Sequence, residues 1–169
     1  VTSAVHRIAT EAMREPSSLF SAVQSAVIRA SSADMADDPT LVEATRDSVQ
    51  ANVMHWLTRV ADDPARPVKA ARTRAGAQLS RDLVSRGLAD DVTAAFRAGQ
   101  EAAWERWMEL CFESTDEPNV LREVLSYSSR LISAYVGASV ASLDRLVDAE
   151  RARLTHRSDL VLAESVRAV

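Results

Sequence analysis

The chain contains very little cysteine, glycine and proline. Its 169 residues include one cysteine, four glycines and five prolines. A single cysteine excludes a disulfide within the chain and indicates a reducing compartment. So few glycines leave no GxGxxG or P-loop motif that would cradle a phosphate. Because alternation of β-branched with polar residues is almost absent, the sequence predicts an all-α protein.

The sequence also lacks a strong excess of positive or negative charge, and it has no long uninterrupted apolar stretch. The 20 basic and 24 acidic residues give a formal net charge of −4 and are interleaved, so no basic stripe for nucleic acid is expected. The longest apolar run, around 131–140, is broken by Ser133, Gly137 and Ser139, and no signal peptide pattern is present. The sequence therefore predicts a cytoplasmic protein without a membrane segment. Its length suits one domain.

Turn residues and apolar periodicity predict about six to seven helices. We expect helices over 2–13, 17–31, 40–60, 67–86, 90–113 and 118–155, with a further helical segment at 157–169. Residues 31–38 read as a loop, and Thr40-x-x-Glu43 has the spacing of a capping box. Gly76 inside the fourth helix predicts a close neighbour or a kink. The stretch from Pro118 is either one long helix or two helices broken near Gly137.

The helix over 90–113 carries the clearest pattern in the chain. Gly87 ends the helix before it, and Asp90 and Asp91 place negative charge at its N-terminus. Apolar residues then fall on two neighbouring faces, which are Val92, Phe96, Gly99, Ala103, Trp107 and Leu110, and Trp104, Met108 and Cys111. A helix that is apolar on two faces belongs in a core.

Residues that would carry chemistry are scattered. His6, His55 and His156 have no second ligand at metal-binding spacing. The acid pairs at 37–38, 62–63 and 90–91 each adjoin a proline or open a helix, so capping explains them better than acid–base catalysis. We therefore expect no metal, no cofactor and no enzymatic activity.

One candidate functional feature is a ladder of small residues. Ser133, Gly137 and Ala141 are spaced by four, so they share one face of a helix and allow a second helix to approach closely. This ladder is either a packing site within the chain or the interface of a homodimer.

A second candidate feature combines aromatic rings with arginines. Most of the rings belong in the core, but an arginine that follows an aromatic on a buried helix needs a partner, either an internal acid or an anionic ligand. His55 lies on the polar face of its helix as a solvated or a titrating group. The tentative ligand-binding residues are Arg72, Arg97, Trp104 and His55.

Several short segments, in this order and spacing, resemble a bacterial regulatory family. They are Ser48–Val53, Pro67–Arg72, Phe96-Arg97-x-Gly99 followed by Trp104, and Asp148–Arg151. Together they are similar to the N-terminal domain of PucR/CdaR-type transcription regulators, which is related to the N-terminal (RsbRD-like) domain of the RsbT co-antagonist proteins. Phe96 stands where the family pattern has tyrosine.

This resemblance implies a globin-like or bundle-like fold without haem. It implies a sensor and dimerisation domain over 1–156 that relays a signal to a downstream DNA-binding domain, with 157–169 as the start of the linker helix. The implied partners are a second copy, the rest of the regulator and an unknown small molecule. The alternative is a stressosome-like co-antagonist module that acts by docking a partner protein. A haem or enzymatic role is a third and weaker reading.

Overall fold

Residues 1–167 fold as seven α-helices, which confirms the all-α prediction. The computed structural model describes the backbone of residues 1–167 and the side chains of residues 1–158 apart from Asp91, and it contains no strand within that range. The helices are α1 (Thr2–Arg14), α2 (Ser17–Ala30), α3 (Ala33–Ala36), α4 (Pro39–Asp62), α5 (Arg74–Ser85), α6 (Asp91–Ser114) and α7 (Pro118–Arg167).

The core lies where α1, α2, α4, α6 and α7 meet. α2 packs against α6, α1 against α4, and α7 against both α5 and α6. The largest fully buried side chain is Trp107 of α6, whose ring meets Trp56 of α4 edge to face at a centroid distance of 4.9 Å. A smaller apolar cluster of Met35, Leu41 and Leu83 joins α3, α4 and α5. The two-sided apolar pattern of the sequence therefore does mark a core helix.

The predicted helix over 67–86 is wrong over its first seven residues. Residues 67–73 are not helical, and α5 begins at Arg74, where the Thr73 hydroxyl accepts the Gly76 amide at 3.0 Å. Buried Val68 anchors the segment to the core, and the Lys69 carbonyl lies 3.0 Å from His55 Nε2. These tertiary contacts outweigh the local helical pattern.

The predicted loop 31–38 and the predicted capping box also need correction. The loop contains the short helix α3, because burying Met35 orders this segment. α4 is capped by Asp38 and not by Thr40, since the Asp38 carboxylate accepts the amides of Thr40 at 2.8 Å and Leu41 at 3.2 Å. Pro39 then occupies the first helical turn, where its missing N–H costs nothing.

α6 and α7 differ from the prediction at single points. α6 begins at Asp91, but the side chain of Asp90 makes no capping bond; its carboxylate lies 3.7 Å from Arg151 instead. α7 is one continuous helix that passes Gly137 without a break and includes 157–167. Residues 157–167 therefore continue α7 and do not form a separate helix. Residues 168 and 169 lie outside the described residues.

Across the described residues, no helix combines the length and the apolar character that a membrane span requires.

Candidate functional site

An apolar cavity of about 140 Å³ lies between α2, α4, α5, α6 and α7. Gly99 on α6 lines it beside Val23 and Val27 of α2. A Cβ at Gly99 would stand 3.1 Å from Val27 Cγ2, so this glycine lets α2 and α6 approach closely. The other walls of the cavity are also mostly aliphatic and aromatic side chains.

Two indole N–H groups at the cavity have no hydrogen-bond partner among the described residues. They belong to Trp56 and Trp107, which both line the cavity and are only 6% and 1% exposed. A buried N–H without an acceptor is costly and rare in folded proteins. Both nitrogen atoms are closed off from water-sized space, so the two N–H groups are unpartnered polar groups within the cavity wall and do not open into the cavity.

One side of the cavity is polar and fixed. The Tyr135 hydroxyl of α7 donates to Asn52 Oδ1 of α4 at 3.0 Å, and burial raises the pKa of Tyr135 to about 12. His55 stacks on the Tyr135 ring at 6.2 Å with an interplanar angle of 27°. These contacts connect α7 to α4 next to the cavity.

A larger cleft of about 610 Å³ adjoins the cavity and is lined by four arginines. Arg72 precedes α5, Arg74 and Arg81 lie on α5, and Arg145 lies on α7; all four are exposed. No carboxylate belongs to the described lining of the cleft. The cleft is therefore a concentration of positive charge on a chain whose formal net charge is −4.

The start of α5 shapes the boundary between cavity and cleft. Thr73 ends the extended segment and caps α5, which directs Arg72 and Arg74 to the cleft. A Cβ at Gly76 would stand 3.0 Å from Thr73 Oγ1 and 3.5 Å from Ser48 Oγ. The close neighbour that the sequence predicted at Gly76 is therefore the hydroxyl of Thr73, the cap of the same helix, whereas Ser48 of α4 lies at an ordinary van der Waals distance.

The structure does not bring the four predicted ligand-binding residues together. Arg72 lines the cleft, but His55, Arg97 and Trp104 line neither the cavity nor the cleft. His55 is half-buried against Tyr135 and Lys69, and Trp104 is half-buried against the core. Arg97 is exposed, so it needs no internal acid, contrary to the reasoning that selected it.

The small-residue ladder faces outward. Ser133, Gly137 and Ala141 are exposed, and a Cβ at Gly137 would have no atom within 4 Å. Packing of this ladder within the chain, one of the two sequence-based alternatives, is therefore wrong for the described residues. The homodimer interface stays a prediction.

The sequence analysis did not identify three of the four cleft arginines. It also did not identify the missing hydrogen-bond partners of Trp56 and Trp107. Arg74 and Arg81 are seven residues apart, a spacing that places both on one face of a helix, so a signal for them was present. Arg145 joins them only through the packing of α7 on α5. The missing partners of Trp56 and Trp107 had no sequence signal at all.

The described residues contain no group of three or more His, Cys, Asp or Glu side chains arranged to hold a metal ion. In comparisons with known proteins, residues 17–168 match the family described as RsbT co-antagonist protein rsbRD N-terminal domain. No curated protein and no solved structure matches the chain.

Proposed function

The chain belongs to the family of RsbT co-antagonist rsbRD N-terminal domains, and on this premise we propose that it is the sensor domain of a bacterial transcription regulator of the PucR/CdaR type. Membership in the family makes it a regulatory domain of the RsbT co-antagonist type. In our proposal the domain has no enzymatic activity. It binds a small molecule and relays that event to a DNA-binding output domain.

The observation that supports the proposal is that α7 both lines the cavity and continues beyond it. Ile132, Tyr135 and Leu143 of this helix line the cavity. The same helix continues to Arg167, and its side chains from Arg151 to Ser158 are exposed except for half-buried Leu154. A change in how α7 packs at the cavity is therefore carried along a rigid helix.

The mechanism that follows is a shift between two packings of α7. A bound molecule stabilises the packing that gives it more contacts, and the size of the shift equals its differential affinity for the two arrangements. Contacts of Tyr135 with Asn52 connect α7 to α4, so an occupant of the cavity touches both sides of that connection. Small helix displacements of this kind are a common switching device.

We further propose that the domain works as a homodimer through Ser133, Gly137 and Ala141. Regulators that bind DNA are usually symmetric assemblies. These three positions are exposed on α7 and carry small side chains or none, which suits close contact between two copies of the helix.

Insertions in α7 test the relay. The parent regulator, with its output domain, is prepared with two or with seven residues inserted after Ser158, and transcription from its promoter is measured. Two residues rotate the rest of the helix by about 200°, whereas seven restore its phase to within about 20°. We expect the two-residue insertion to abolish the response and the seven-residue insertion to retain it. Equal responses from both variants would contradict the relay.

The co-antagonist alternative, docking of a partner protein, has one observation in its favour. Phe112 at the end of α6 and Val120 at the start of α7 are 57% and 40% exposed, so they form an apolar pair beside the turn between the two helices. If docking is the function, Phe112→Ser with Val120→Ser abolishes the response while both insertions leave it intact. The sensor proposal predicts instead that the double serine variant retains the response and that the two-residue insertion abolishes it.

A further inference from the structure

We propose that the cavity and the arginine-lined cleft form one site for a small aromatic carboxylate, with the ring in the cavity and the carboxylate in the cleft. This inference rests on the proposed sensor function and names the class of molecule sensed. It develops the candidate feature of aromatic rings with arginines from the sequence analysis, with the cleft arginines in place of Arg97.

The two spaces share walls. Asn52, Gly76, Phe96 and Leu143 line both the cavity and the cleft. A molecule that spans the boundary therefore passes between Phe96 of α6 and Leu143 of α7. Because Leu143 belongs to α7, a bound molecule contacts the helix that the sensor mechanism requires to move.

The volume and walls of the cavity favour an aromatic ring. In another protein, an engineered apolar cavity of about 150 Å³ stays dry and binds benzene, and the present cavity is about 140 Å³. A single six-membered ring therefore fits this volume. The aromatic side chains of Trp56, Phe96 and Trp107 in the lining also pack edge to face or offset against an aromatic ring, a contact that an alkyl chain lacks.

The charges of the cleft favour a carboxylate. Among the described side chains, no carboxylate forms an ion pair with Arg72, Arg74 or Arg145. Arg81 is partly satisfied, because it donates to Gln78 at 2.8 Å and the charge of Arg81 helps to lower the pKa of Glu150. Three guanidinium groups therefore remain available, and arginine binds carboxylates through paired hydrogen bonds.

Three probes separate the two parts of the proposed site. Phenylacetate carries a ring and a carboxylate, toluene carries the ring alone, and acetate carries the charge alone. Binding to the full chain is followed by its tryptophan fluorescence, which comes from Trp56 and Trp107 in the cavity lining and from Trp104 outside it. We expect saturable binding of phenylacetate at least about ten-fold tighter than that of toluene, since a charge-assisted hydrogen bond contributes that much, and no saturation with acetate.

Matched variants locate each end of the ligand. Arg145→Gln should weaken phenylacetate binding about ten-fold and leave toluene binding unchanged, while the control Arg122→Gln, an exposed arginine of α7 outside the cleft, should change neither. Ala103→Leu fills the cavity and should abolish binding of both probes. Val53→Leu, a smaller change in the same lining, serves if the first variant does not fold.

Each contrary result overturns a stated part of the inference. Equal affinities for phenylacetate and toluene, or equal effects of Arg145→Gln and Arg122→Gln, would remove the carboxylate from the cleft. If phenylacetate binding does not saturate, the cavity and the cleft do not form the proposed site. These binding measurements do not depend on transcription. If phenylacetate binds but the promoter does not respond, the relay is contradicted and the proposed binding site is not.

Discussion

The titratable side chains Cys111, Tyr135 and Asp38 have displaced pKa values for two different reasons. Burial raises the pKa of Cys111 and of Tyr135 to about 12 in both cases, because low polarity disfavours the charged form. The pKa of Asp38 is lowered, first by the hydrogen bond from Arg86 and then by the backbone amides of Leu41 and Thr40. Cys111 and Tyr135 are therefore protonated at neutral pH. Asp38 is ionised there and stabilises the fold as an anion.

The burial of Cys111 predicts an unreactive thiol. Its exposed fraction is 0%, and its raised pKa leaves almost no thiolate, which is the reactive form. A thiol-specific disulfide reagent at pH 8 should therefore fail to modify the folded chain and should react with one equivalent in denaturant. Rapid modification of the folded chain would mean that α6 opens readily around this residue.

The lowered pKa of Asp38 predicts a stability difference that depends on pH. Asparagine retains the cap of α4 but cannot ionise, so Asp38→Asn removes only the charge and its contact with Arg86. A carboxyl whose pKa is lower when folded stabilises the fold above its unfolded pKa of about 3.9 and loses that contribution as the pH falls through the folded value. The wild-type chain should thus be more stable than Asp38→Asn at pH 7.

Urea unfolding at pH 7 and near pH 3 measures this difference. We expect the two chains to converge at the lower pH. Asp37→Asn is the matched control, since its carboxylate makes none of these capping bonds and should change stability little at either pH. A gap between wild type and Asp38→Asn that persists unchanged in acid would show that Asp38 acts through something other than its charge.

At the scale of helices, sequence reasoning succeeded where a local signal decides the structure. Gly87 has φ of +75° and ends α5, with the Leu88 amide bonded to the Leu83 carbonyl at 2.8 Å, a glycine C-cap as predicted. It failed at 67–73, where buried Val68 and the contact of Lys69 with His55 hold the chain out of the helix. No local pattern contains those contacts, because their partners lie on other helices.

Two glycines with equally open surroundings should respond oppositely to alanine. A Cβ at either Gly87 or Gly137 would meet no atom within 4 Å, so only the backbone conformation differs. Gly137→Ala in α7 should raise the free energy of unfolding by about 0.5–1 kcal/mol, because alanine loses less backbone entropy in a helix. Gly87→Ala should lower it by about 1–2 kcal/mol, since φ there is left-handed.

Thermal or urea unfolding at several protein concentrations tests this pair. The concentration series separates helix stability from association, because the stability of a dimer depends on concentration. A stabilising Gly87→Ala would contradict the left-handed turn. A destabilising Gly137→Ala at low concentration would contradict a continuous α7.

At the scale of the whole molecule, the candidate site lies beyond what the sequence pattern can predict. The formal net charge of −4 argued against a basic stripe for nucleic acid, but it gave no sign that Arg72, Arg81 and Arg145 converge on one cleft. They come from the segment before α5, from α5 and from α7. Only the packing of α7 on α5 brings them together. A net charge calculated from the composition does not contain the positions of the charges in the fold.

Assembly is the remaining property at this scale, and substitutions on the outer face of α7 test it. Gly137→Leu places a branched side chain in the middle of the ladder of Ser133, Gly137 and Ala141, where two helices can approach closely only if side chains are small. The same substitution at the neighbouring exposed residue, Ala138→Leu, adds equal apolar surface beside the ladder and is the control. Neither side chain touches the core, because both positions are exposed.

Native mass spectrometry of the three chains gives subunit number and any retained small molecule in one spectrum. We expect a dimer for the wild type and for Ala138→Leu, and a monomer for Gly137→Leu. Circular dichroism should show the same helix content in all three chains, since the substituted positions lie on the surface of one continuous helix. A wild-type monomer, or a dimer that survives Gly137→Leu, would move the interface away from this face. The relay would then have to work without symmetry through α7.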